Sequence, residues 1–169
     1  MYKRILVPVD GSETSMLGLR EAIKIAQSDG CQLCVFHVVN ELILDYSYAA
    51  QSSGMSLMDS LREVGNEILR RAEDLTRKQS VPVESVLIEC VGGPAADSIV
   101  AQANKWHADL IVMGTHGRRG LRRFAMGSDA EAVVQESSVP VLLVGHKGKL
   151  EAATETGGGK SSAAQRSTA

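Results

Sequence analysis

The chain has no long apolar run. Nowhere among its 169 residues does hydrophobic sequence continue for the ~20 residues that a membrane-crossing helix needs, and Met1-Tyr2-Lys3-Arg4 leads directly into a strand pattern in place of a secretory signal. A cytoplasmic protein without membrane insertion is expected. The chain also lacks an excess of either charge: a formal net charge of −2 offers no general attraction to nucleic acid or an anionic membrane. The four arginines at 118, 119, 122 and 123 are therefore a local feature, and their target should be small. Cysteine is scarce, and three of them, Cys31, Cys34 and Cys90, cannot all pair within one chain. Cys31 and Cys34 spell C-x-x-C, but inside a strand-like run a spacing of three puts them on opposite faces, whereas a redox motif needs a helix start. Reduced thiols are expected. His37, His107, His116 and His146 show no metal-ligand spacing with one another or with the cysteines, so no metal is expected.

What is present is an alternation of strand and helix patterns. A hydrophobic share of 44% is enough for one good core. Strands are read over Lys3 to Val9, Cys31 to Val39, Val81 to Val91, Leu110 to Met113 and Val139 to Val144. Helices are read over Glu13 to Ser28, stopped by Gly30; over Ser56 to Lys78; from Pro94 to near Trp106; and over Ser128 to Ser137. Such alternation predicts an α/β, single-domain, Rossmann-like fold: a parallel five-stranded sheet with helices on both faces. The loops with unusual chemistry follow the first and fourth strands, which neighbour each other at the reversal point of a sheet ordered 3-2-1-4-5, so that order is expected. The domain should span residues 1–146. Residues 147–169 read as a disordered polar tail, and residues 40–55 as a flap or a cover over the site. Gly159-Lys160-Ser161 in the tail imitates the end of a P-loop, but no strand precedes it and no amphipathic helix follows.

The richest chemistry lies between Gly114 and Ser128. Gly114, Gly117 and Gly127 let a backbone approach an anion, Arg118 and its neighbours supply opposite charge, and Gly127-Ser128 opens a helix whose first N–H groups point outward. A solvated basic loop with glycine turns is the bland alternative, but an upstream strand and a helix start favour a phosphate site. Asp10, at the end of the first strand, repels phosphate but accepts two hydrogen bonds well, which suits the hydroxyls of a ribose. Asp10 or Ser12 could instead cap the following helix; Ser12 is the better cap, leaving Asp10 for the sugar. Pro8, Val9, Val39 and Met113 lie near carboxyl ends of strands, where together they would form an apolar slot for a flat base, although each alone also suits ordinary core packing.

The pattern G-x2-G-x9-G-[ST], present as Gly114, Gly117, Gly127 and Ser128, stands with an opening Ile5 to Ser12 and a closing Val139 to Val144. Together these resemble the universal stress protein family, over residues 2 to 145. The resemblance implies an adenine nucleotide alpha hydrolase-like fold, a cytoplasmic homodimer joined through its last strands, and ATP binding. It implies Asp10 at the ribose, Val39 and Met113 at adenine, and Gly114, Gly117, Arg118, Gly127 and Ser128 at the phosphates. Asp129 stands where the family often has valine and adds negative charge near a triphosphate, so a monophosphate such as AMP or a cyclic nucleotide would suffer less repulsion.

No dedicated active site is visible. His116 is the only histidine in the glycine loop, has no carboxylate placed to orient it, and reads as a loop or dimer contact. The function expected is a nucleotide-binding regulatory stress-response protein, a dimeric switch or sensor holding ATP or AMP, with or without Mg. The alternatives are a nucleotide-free interaction module gripping an acidic protein partner through the loop arginines, and a slow ATPase. Val139, Val141, Leu142, Leu143 and Val144 form an apolar edge strand that invites pairing with a second copy.

Overall fold

The computed structural model describes residues 1–40, 57–90, 92–117 and 126–145. Residues 41–55 of the expected flap, Arg118 with the other loop arginines, His146 and the tail lie outside these residues, while Asn40, expected to open the flap, instead ends the second strand. Within them the elements run β1 (Arg4–Pro8), α1 (Glu13–Asp29), β2 (Gln32–Asn40), α2 (Leu57–Arg77), β3 (Val83–Cys90), α3 (Ala95–Trp106), β4 (Leu110–Gly114), α4 (Ser128–Glu136) and β5 (Val141–Val144). The strands form one sheet in the order β3-β2-β1-β4-β5, every pairing parallel. The expected α/β class and strand order are both observed. β1 therefore pairs with β2 on one side and β4 on the other, which places the ends of β1 and β4 together where the winding reverses.

Helices cover both faces. Leu19, Ala22, Ile23 and Ala26 of α1 and Ile68, Leu69 and Ala72 of α2 pack with Ile5, Val7, Leu33, Val35 and Val112 on one side. Ala96, Ile99, Ala103 and Trp106 of α3 and Ala130 and Val133 of α4 pack with Leu6, Phe36, Ile111 and Met113 on the other. β4 is buried at every position, as expected of a parallel strand covered from two sides. Cys31 belongs to the first cluster and Cys34 to the second, so the C-x-x-C pair is split between faces and all three cysteines are free. Burial pushes both thiols upward, Cys34 to about 12 with help from the nearby Glu84 carboxylate.

Two strands start later than the apolar pattern suggests, for a shared reason. Val139 was expected in the last strand, but β5 begins at Val141, and Val139 instead donates its N–H to Ser137 Oγ at 3.2 Å. Likewise β3 begins at Val83 and not Val81. Each start is preceded by a proline, which has no N–H for the ladder: Pro140 and Pro82 contribute only carbonyls, to Ile111 N at 3.0 Å and Leu33 N at 2.9 Å.

Candidate functional site

The turn after β1 is built by short-range hydrogen bonds. Ser12 caps α1, its Oγ accepting from Ser15 N at 3.2 Å. Asp10 holds the cap in place: its Oδ1 accepts from Ser12 N at 2.9 Å and from Ser12 Oγ at 2.6 Å. Ser12 is thus the cap, as the sequence implies, and Asp10 braces the turn as well as presenting a carboxylate at the rim. The ladder runs one rung past β1, since Val9 N donates to Phe36 O at 2.8 Å.

The loop after β4 lies against this turn. A Cβ placed on Gly117 would stand 2.7 Å from Asp10 Oδ2, so the carboxylate and the loop backbone are neighbours. Gly114 sits against the first turn of α1, where a Cβ would meet Thr14 C at 2.8 Å and Ser15 N at 2.9 Å. Thr14 Oγ1 donates to the His116 carbonyl and ties the two segments across 102 residues. Thr115 N donates to Val144 O at 3.0 Å, and Thr115 O accepts from Gly127 N at 2.9 Å, which brings the start of α4 to the same rim.

That start has no side-chain cap. Gly127 occupies the N-cap of α4 and has no side chain to satisfy the first-turn N–H groups. Ser128 and Asp129, next along, are exposed. Asp129 and Glu131 put acidic groups in the first turn, which suits the helix dipole but opposes a highly charged ligand.

Of the expected phosphate contacts, Gly114, Gly117, Gly127 and Ser128 gather at one rim with Asp10, while Arg118 falls outside the described residues. The expected base contacts are less unified. Val9 packs in the cluster under α1 and α2, Met113 in the cluster under α3 and α4, and these are opposite faces of the sheet. Val39 is buried, and Pro8 is half-buried at the end of β1. These residues share a position near the carboxyl ends of strands, but Val9 and Met113 do not share a face of the sheet.

Several residues here have partners that the sequence does not mark. Thr14 and Thr115 bind the His116 backbone and ring, Thr115 Oγ1 lying 2.9 Å from His116 Nδ1. His116 Nε2 is buried without a hydrogen-bond partner. Asn40 Nδ2 donates to Gly93 O at 2.8 Å, joining the ends of β2 and β3. His37 Nδ1 lies 2.7 Å from Val9 O. Apart from the neighbouring Thr115–His116 pair, partners distant in sequence give these residues their roles, and no local motif marks them. Among the described residues no cluster of three or more metal-ligating side chains occurs, and no helix is long and apolar enough to cross a membrane.

The chain matches the model of the universal stress protein family over residues 1–145. It is 35% identical over 144 residues to universal stress protein MJ0531 of Methanocaldococcus jannaschii, covering 85% of this chain and 82% of that one. Its structure resembles that of MJ0577 from the same organism with a TM-score of 0.74 and 26% identity, over 87% of this chain and 98% of the other. It also resembles the universal stress protein of Archaeoglobus fulgidus solved in complex with dAMP, with a TM-score of 0.62 and 27% identity over 85% and 98% of the two chains. The two rims that the glycine pattern and Asp10 mark in the sequence meet in space, in the fold these relatives share, and the chain belongs to the universal stress protein family.

Proposed function

We propose that this protein binds an adenine nucleotide across the β1–β4 junction and acts as a regulatory stress-response protein, not as an enzyme. The observation that carries the reading is the side-chain-free N-cap of α4 at the rim where the Asp10 carboxylate abuts Gly117. Backbone N–H groups then receive the phosphate, and a carboxylate within reach accepts from the sugar hydroxyls. The dAMP complex of the Archaeoglobus fulgidus relative supports the ligand class. The first-turn carboxylates of α4 favour AMP over ATP, unless Mg offsets the added charge. Arg118 is assigned to the phosphates by the family pattern alone.

The test is to denature the purified protein, separate the supernatant by chromatography and look for adenine absorbance, then follow thermal stability with added AMP and Mg-ATP. A ligand at a hundred times its Kd adds about 2.7 kcal/mol of stability. Absence of both co-purified nucleotide and stabilisation would sink the reading.

The same proposal includes a homodimer. β5 lies at the edge of the sheet with Leu142 37% exposed, and Val134 on α4 is 44% exposed. Pairing two β5 strands about a two-fold axis closes both edges at once. Sedimentation is expected to give a dimer at micromolar concentration, and a monomer would refute this part.

A further inference from the structure

His37 is 8% exposed in the middle of the domain and plays no part in the binding scheme above. Its Nδ1 lies 2.7 Å from the carbonyl oxygen of Val9, 28 residues away. A carbonyl only accepts, so Nδ1 carries the proton. The Val9 N–H is held at the same time by the carbonyl of Phe36 at 2.8 Å. Two consecutive residues of β2 therefore grip Val9 by both of its backbone groups, and the next residue is Asp10. Ser15 Oγ, 3.4 Å from Asp10 N, supports the turn from the other side.

Room for the ring is made by a glycine in α2. A Cβ on Gly65 would stand 2.7 Å from His37 Cδ2 and 3.2 Å from Nε2, so α2 closes on the imidazole at the one position where it has no side chain. A glycine inside a helix is unfavourable relative to alanine, and at this position any larger residue would meet the ring and Leu87 Cδ1.

We infer that His37 is a positioning residue for nucleotide recognition: without touching the ligand, it fixes the Val9 peptide and so aims the Asp10 carboxylate at the sugar. This rests on the reading that Asp10 receives the ribose. Its path runs from α2 through the imidazole to Val9, Asp10 and the Gly117 backbone, so the helix and the rim of the site are mechanically joined.

The test uses the full chain, with AMP as the probe in calorimetry and amide hydrogen exchange in its ligand-free form. His37→Leu removes the donor, and His37→Asn returns an N–H near the Nδ1 position. AMP affinity is expected to fall at least about tenfold in His37→Leu and to recover largely in His37→Asn. In a double-mutant cycle, His37→Leu should add nothing beyond about twofold once Asp10 is already alanine, because both changes act through one carboxylate. Effects that simply multiply, or a His37→Leu protein with unaltered affinity, overturn the inference. Exchange separates this from failure of the binding reading itself. His37→Leu should speed exchange of the Ser12 N–H, which is bonded to Asp10 Oδ1, while leaving Val112 in the central strand protected. If the parent protein ignores AMP yet Ser12 responds, the nucleotide assignment falls and the clamp stands. If Ser12 does not respond, the clamp falls, and Val112 losing protection would mark the change as one of overall stability.

Discussion

Glycine does two different jobs in two regions of this molecule. At the β1–β4 junction, Gly114 and Gly117 give way to something close by: α1 backbone and the Asp10 carboxylate respectively. Away from the junction, Gly30 and Gly92 have nothing within 4 Å of a hypothetical Cβ but carry φ values of +70° and +74°. The first group exists for approach and the second for conformation. A glycine pattern in a sequence does not separate the two, and the difference decides which substitutions disturb binding.

The largest effect is expected at Gly114. An alanine there meets backbone atoms of Thr14 and Ser15, which cannot swing aside, so urea denaturation should show a loss of about 3 kcal/mol. A loss below about 1 kcal/mol would mean that α1 shifts freely and the junction is not close-packed. Gly117→Ala sharpens the contrast in another readout. Gly117 is exposed, and its neighbour is the end of a side chain, so the fold should survive while AMP affinity drops about tenfold as Asp10 is displaced. Equal affinity would separate the carboxylate from the ligand. Gly30→Ala strains the left-handed cap of α1 and should cost about 1 kcal/mol in denaturation with AMP affinity untouched. Altered affinity there would erase the distinction between the two groups.

The smallest effect concerns pH. The Cys34 thiol is raised from its ordinary value of 9.0 to about 12, chiefly by burial. The unfolded chain releases this proton first, so between about pH 9 and 12 the folded form binds more protons and stability falls as pH rises. Cys34→Ser measured over the same range should flatten part of that fall. Native thiol labelling should also reach Cys90, half-buried at the end of β3, ahead of Cys31 and Cys34.

Much of this was legible in the chain. The order of elements followed from apolar periodicity, and the strand order followed from asking which two loops carried ligand chemistry. The cap at Ser12 and the stop at Gly30 were readable because caps are local. The starts at Val81 and Val139 were misread because apolarity marks burial, not ladder hydrogen bonds, and the prolines that follow them contribute only carbonyls to the ladder. The base slot was harder. Lying at the end of a strand says nothing of which face a side chain takes, and Val9 and Met113 took opposite ones.

By itself, then, the sequence determined the class of fold, the strand order, the membership of its family and the glycines and carboxylate from which the proposed nucleotide site is built. Those are properties of short windows, where periodicity, capping and spacing act on neighbouring residues. Only the tertiary structure decided that Asp10 meets Gly117, that Thr14 reaches the His116 carbonyl, and that His37 grips Val9 under a glycine of α2. Such contacts join segments that are unrelated along the chain. Their geometry depends on sheet register and helix packing, which are set by the whole core at once.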